Sequence, residues 1–234
     1  MIDIYSAFYS SLDNIFTLNS EYLYIILISL QVSMTAMVIS FLISIPIASL
    51  LSMKIFYGKT FIIIIINTLM ALPPVVVGLF LYIIFSNQGF LGELDLLYSI
   101  NIMIVAQTIL ITPILIGLSR ETLDKYYLEY HEFLSSMHIS FSKKLLTLIW
   151  EARHSLMINF LAGFGRALSE VGAIIIVGGN IAHLTRTMTT GIVLETSRGD
   201  LAMAISLGIT LIIIALIVNI LLYMIKIYDE RDYV

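Results

Sequence analysis

The stretch LYIILISLQVSMTAMVISFLISIPIASLL, residues 23–51, decides the fold class, because no charged side chain interrupts it. A membrane crossing needs about 20 mostly apolar residues at about 1.5 Å rise each. This stretch exceeds that length, broken only by Gln31, small hydroxyl residues and Pro46. Four further segments read the same way: residues 61–85, which contain Pro73-Pro74, and residues 101–118, 155–178 and 201–227. The second of these five reaches only about 38 Å as a helix, so it is expected to cross once and not twice. Composition agrees. Hydrophobic residues make up 59% and charged residues 12% of the 234, against about 45–50% and about 25% in soluble domains. Lipid is therefore the expected solvent for most of this chain, and five transmembrane helices in an all-α membrane protein the expected architecture. Residues 1–234 are expected to form a single transmembrane domain. With no cysteine there is no disulfide or thiolate metal site.

Lys and Arg set the expected orientation, because cytoplasmic loops are enriched in them. Lys54 and Lys59 follow the first span, Arg120, Lys125, Lys143, Lys144 and Arg153 follow the third, and Lys226 and Arg231 end the chain. The opposite side carries only Arg186 and Arg198, with Arg166 left inside the fourth span. The N-terminus is thus expected outside and the C-terminus in the cytoplasm. Residues 1–22 lack a basic region and a small-residue cleavage site, so no removable signal peptide is expected.

Two connections are longer than packing alone requires. Residues 119–153 form a cytoplasmic segment in which Leu128, Phe133, Leu134 and Met137 alternate with Glu129, His131, Glu132 and His138. Amphipathic stretches of this kind lie on a membrane surface or enter a groove on a partner, and the two acidic residues point to a protein partner. The external segment holds Gly178, Gly179, Asn180, Thr185, Arg186, Thr189 and Thr190. It reads either as a loop capping the bundle or as the outer mouth for an anionic solute, since a planar guanidinium suits an oxyanion.

Inside the first span, Ala36, Ser40, Ser44, Ala48 and Ser52 recur every fourth residue. Such a stripe lets another helix approach closely; a polar permeation lining is the other reading. In the fourth span Arg166 and Glu170 share a helix face. Each alone costs about 2.5–3.5 kcal/mol at a membrane helix centre on insertion scales. They form either a structural ion pair or part of a translocation path.

Covalent chemistry has no visible machinery. Gly58-Lys59-Thr60 lacks the glycine five residues earlier that a phosphate-binding loop needs, having Met53 there. His131-Glu132 lacks the second His of a zinc-protease helix, having Ser135. No intramembrane His stands near Ser169 to act as a base.

Several runs carry a family resemblance: Gly163-Phe164-Gly165-Arg166-Ala167, Glu170-Val171-Gly172-Ala173, Val177-Gly178-Gly179-Asn180-Ile181, Thr185-Arg186, Thr189-Thr190, Leu194-Glu195 and Gly199-Asp200. With Leu72-Pro73-Pro74-Val75-Val76-Val77-Gly78, they resemble the membrane permeases of bacterial ATP-binding-cassette (ABC) oxyanion importers. Within that family the chain is most similar to tungstate permeases; molybdate and sulfate permeases share the framework. The resemblance implies a type I importer permease fold and a homodimer in the bacterial inner membrane. It also implies a cytoplasmic ATPase dimer, an extracytoplasmic oxyanion-binding protein and surrounding lipid as partners. Nucleic acid is not among them. ATP and Mg would be bound by the ATPase, so this chain itself would carry no cofactor, metal or catalytic residue. By the same resemblance Glu132-Phe133-Leu134 fall where the family has Glu-Ala-Ala, His138 where it has Gly, and Trp150-Glu151 where it has Leu-Pro. Glu129, Glu132, Phe133, Leu134 and His138 then belong to the ATPase-coupling loop. A molybdate permease of the same build, or a carrier or channel gated by Arg166 and Glu170 without an ATPase, are the alternatives.

Overall fold

The computed structural model describes residues 20–136 and 139–231, together with Tyr9, Ser11, Ile15 and Thr17. His138 and Met137 of the expected coupling loop lie outside the described residues. The chain forms α1 (Ser20–Met53), α2 (Lys59–Met70), α3 (Pro74–Phe85), α4 (Ile100–Ser136), α5 (Phe141–Glu151), α6 (Arg153–Leu168), α7 (Gly172–Gly178), α8 (Met188–Arg198) and α9 (Leu201–Arg231). No strand occurs among the described residues. Helices α1, α4 and α9 are each long and apolar enough to cross a bilayer. The pairs α2–α3 and α6–α7 are bent by 95° and 57°, and the number reaches five if each pair is one crossing.

Those bends replace two straight spans expected from hydropathy. In residues 61–85 the cause is local. Leu72 precedes Pro73 and is driven away from helical backbone angles, and Pro73 itself is extended at φ −63°, ψ 126°. Pro74 then opens α3 at its first position, where a missing N–H costs nothing. Each half is 12 residues, or about 18 Å, well short of a bilayer core of about 30 Å. In residues 155–178 the bend falls at 169–171 without a proline.

The stripe on α1 is a helix seam. Ala36, Ser40, Ser44 and Ala48 are fully buried, and Ser44 Oγ donates to the Thr112 carbonyl of α4 at 3.1 Å. Ser40 Oγ reaches the Thr108 carbonyl at 3.4 Å. One apolar core lies between α1, α4, α6 and α9, around Met37, Leu115, Phe164 and Leu207. A second joins α1, α3, α4 and α7 through Val32, Val77, Ala106 and Ile174. The outward faces of α2, α3 and α9 remain exposed and apolar, with Ile64, Phe80 and Ile212 among them, as lipid contact requires.

Helices α3 and α7, the second halves of the two bent pairs, lie almost backbone to backbone. A Cβ on Gly78 would stand 2.9 Å from the Cα of Ala173, and backbone cannot turn aside as a side chain can. Gly78→Val is expected to lower stability by about 1–3 kcal/mol, read as a lower unfolding temperature in detergent; an unchanged temperature would refute this contact.

The expected cytoplasmic loop is mostly helix. Residues 119–136 contain neither Gly nor Pro, so nothing in them stops α4, which runs through 37 residues. Arg120 and Asp124 pair at 3.2 Å one turn apart on it. A third core of Ala48, Leu123, Leu148 and Leu156 holds this extension and α5 against the end of α1 and the start of α6.

Candidate functional site

Both bends meet at one cleft. Leu69, Met70, Leu72 and Pro74 line it from the first break, Ala167, Arg166 and Glu170 from the second, and Gln107, Leu110 and Ile111 from α4. Its volume is about 20 Å³, room for about one water. The Arg166 Nη1 lies 3.5 Å from Glu170 Oε2, with the Arg166 side chain 49% exposed and that of Glu170 7%. The sequence-predicted pair is therefore formed, and it is asymmetric: the carboxylate is buried and the guanidinium reaches out.

Glu170 does more than neutralise Arg166. Its Oε1 accepts from the N–H groups of Val171 (3.1 Å) and Gly172 (3.0 Å), satisfying two donors at the start of α7 that lack helical partners. Its carbonyl accepts from Thr189 Oγ1 at 2.9 Å, which ties the cleft to the first turn of α8. Beside them Gln107 is fully buried, with Nε2 donating to the Ala167 carbonyl at 2.6 Å and to Ser33 Oγ at 3.3 Å.

The expected outer-mouth residues gather in one network. Thr185 Oγ1 donates to the Gly178 carbonyl at 2.5 Å and accepts from Ile181 N–H at 2.9 Å. Asn180 Nδ2 donates to the Thr190 carbonyl at 3.2 Å, and Thr187 and Thr190 cap α8 reciprocally. Met188 N–H reaches Ser29 Oγ of α1 at 2.7 Å. Gly179 takes φ 69° and must be glycine twice over, since a Cβ there would stand 2.6 Å from the Tyr98 ring. Tyr98 N–H bonds to the Val177 carbonyl at 2.9 Å, so the connection between α3 and α4 is fastened to the end of α7. The hydrogen bond with Tyr82 holds the Tyr98 phenol above its ordinary pKa, with desolvation adding to it.

Arg186 departs from the reading of a solute-facing donor. It is buried, and its Nη1 lies 3.2 Å from Glu21 Oε1 and 3.8 Å from Glu195 Oε1, while Arg198 Nη1 meets Glu195 at 3.1 Å. Its charge is spent within the fold, joining the start of α1 to α8. Thr185, Thr189 and Thr190 are buried as well, so this segment caps the bundle.

At the other end, Glu129, Glu132 and Phe133 are exposed on the last turns of α4, as are Leu146 and Trp150 on α5. Leu134 is buried and lines a small cavity with Thr147 and Leu148, so it holds the α4–α5 corner together instead of facing outward.

Sequence reasoning passed over Gln107, and over the ion pairs that Glu21 and Glu195 make with Arg186. A signal for Gln107 was available, since a single amide inside an apolar span is costly unless bonded. For Glu21 none was, because its partner is 165 residues away.

No protein-family model matches the chain. It is 40% identical over 168 residues to the tungstate uptake system permease protein TupB of Campylobacter jejuni, covering 72% of this chain and 70% of the relative. Identity to the TupB of Peptoclostridium acidaminophilum is 34% over 220 residues, 94% of this chain and 96% of the relative. A probable anion ABC transporter permease protein of Haloferax volcanii is 36% identical over 208 residues, 86% of this chain and 90% of the relative. Permease proteins of molybdenum and sulfate transport match at 22–28% identity. The two TupB likenesses, the second covering 94% of this chain and 96% of the relative, on a helical chain whose apolar segments suit a bilayer, show that it belongs to the family of tungstate uptake system permease proteins.

Proposed function

We propose that this chain is the membrane permease of an ATP-driven tungstate importer. Its two copies would form the path, a cytoplasmic ATPase dimer would bind ATP and Mg and hydrolyse the nucleotide, and an extracytoplasmic protein would deliver the anion. The observation that carries this reading beyond kinship is the cleft where both bent pairs meet, with Arg166 half-exposed beside a buried Glu170. A guanidinium at that place offers a tetrahedral dianion several donors without an irreversible grip, because Glu170 competes for it. With room for about one water, the cleft must open before an oxyanion enters, which is what alternating access requires.

The chain would cross the bacterial inner membrane five times, N-terminus outside and C-terminus in the cytoplasm, as one domain. The distribution of Lys and Arg supports that orientation. Ala162 and Arg166 on α6, and Ser169 just past its end, are exposed on one side, which supports pairing with a second copy around a shared path. The exposed Glu129, Glu132 and Phe133, with Trp150 beside them, would meet the ATPase, and Leu134 would keep their helix turn in shape.

The test is ATP hydrolysis in proteoliposomes holding this chain and its ATPase, with binding protein loaded with tungstate, molybdate or sulfate. Tungstate-loaded protein is expected to stimulate hydrolysis far more than the other two. Equal stimulation by molybdate would widen the solute to both tetrahedral dianions and keep the mechanism. No association with an ATPase and no stimulation would replace it with an ion-coupled carrier.

A further inference from the structure

The bend between α6 and α7 has no proline, so its broken hydrogen bonds must be met some other way. In an unbroken helix the Val171 N–H would bond to the Ala167 carbonyl, four residues back. Here Val171 N–H and Gly172 N–H both turn to Glu170 Oε1, and the next helical bond present is Ile175 N–H to the Val171 carbonyl at 2.9 Å. The abandoned Ala167 carbonyl receives Gln107 Nε2 at 2.6 Å from α4, and Glu170 N–H at 3.2 Å. Because a carbonyl only accepts, the NH₂ end of the amide must face it. The same NH₂ reaches Ser33 Oγ on α1 at 3.3 Å, so one fully buried side chain holds three elements at the break.

We propose that Gln107 is a positioning residue that keeps the fourth span bent. By supplying the hydrogen bond that Val171 would otherwise give to Ala167, it leaves Glu170 free to cap α7 and to hold Arg166 at the cleft. Glu170 supplies the acceptor for the two free N–H groups, and Gln107 supplies the shorter of the two bonds to the Ala167 carbonyl. Without Gln107 that carbonyl keeps only the longer Glu170 N–H bond at 3.2 Å and loses the shorter one at 2.6 Å. Without Gln107 the lower-energy arrangement restores the backbone bond, straightens α6 into α7 and withdraws Glu170 from Arg166. The role of the cleft in transport rests on the function proposed above; the bend itself does not.

The chain has no cysteine, so a pair of spin labels can be placed without background. Met157→Cys on α6 and Ile181→Cys beyond α7 put labels at exposed positions on either side of the bend. Straightening a bend of 57° over those arms lengthens their separation by about 4 Å at 1.5 Å per residue. Gln107→Leu is expected to give that lengthening in the full complex. Gln107→Glu separates this role from general packing: its carboxyl can donate to the Ala167 carbonyl when protonated and not when ionised. Arg166 and Glu170 are the charged groups lining the cleft with it. At pH 5.5 the Gln107→Glu distance should match wild type, and at pH 8 it should match Gln107→Leu, while wild type stays constant. Tungstate uptake should follow the same pattern, falling at least tenfold in the straightened forms. An unchanged distance in Gln107→Leu, or a pH-independent one in Gln107→Glu, would overturn the proposal. A wild-type complex that moves no tungstate while the distances shift as expected would overturn the proposed function and leave the role of Gln107 standing.

Discussion

Glu170→Ala should nearly abolish tungstate uptake in proteoliposomes and lower the unfolding temperature of the permease. Three contacts go at once: the acceptor for Val171 and Gly172 N–H and the partner of Arg166. Leaving buried donors unpaired costs about 1–3 kcal/mol each. The Arg166 contribution is smaller, because that side chain is 49% exposed and water can take over its solvation. A net loss of about 3 kcal/mol corresponds to about a hundredfold at about 1.4 kcal/mol per factor of ten. Glu170→Gln keeps a carbonyl oxygen for the two N–H groups and loses the charge. It should therefore recover most of the stability and little of the transport. Equal loss of both in Glu170→Gln would mean the carboxylate matters only as a structural ion, and full activity in Glu170→Ala would remove the cleft from the path altogether.

The second large effect is expected at Arg186. Arg186→Met leaves the nearly buried Glu195 with Arg198 as its remaining partner and sets Glu21 loose at the start of α1. Breaking one side of a buried pair costs about 3–5 kcal/mol when nothing compensates. Since Arg198 remains and Glu21 is 43% exposed, about 2 kcal/mol is the expected loss. Adding Glu195→Gln to Arg186→Met should return part of it, a coupling that a double-mutant cycle measures directly. If thermal unfolding of Arg186→Met matches wild type, the four charges are independent surface groups and not a clasp.

How far the sequence could be read depended on where each cause lay. The apolar segments, the small-residue seam on α1 and the Arg166–Glu170 pair were legible, because each is written within one helix at its own spacing. The bend after Ala71 was half legible: Pro73-Pro74 were noticed, but length arithmetic on a straight rod hid what two prolines do to it. The bend at 169–171 was not legible locally, since the amide that satisfies it sits on α4. Residues 119–136 read from their charge as an amphipathic connection between spans, although the lack of Gly or Pro allows the preceding helix to continue straight through them. Arg186 reads in the sequence either as part of a cap or as a donor to a solute, because donors look alike there, and only the fold shows that its carboxylate partners are Glu21 and Glu195.

Helix α4 has a mechanical consequence. It runs unbroken for 37 residues, with Pro113 inside it and Gln107 anchored at the cleft. From Pro113 to Ser136 it extends about 35 Å at 1.5 Å per residue. A tilt of about 10° at the proline would swing the far tip through about 6 Å, whereas the side chains around Gln107 would shift by less than about 2 Å. The rod is thus a lever with unequal arms: large, low-force displacements at its polar end become small, high-force ones at the cleft.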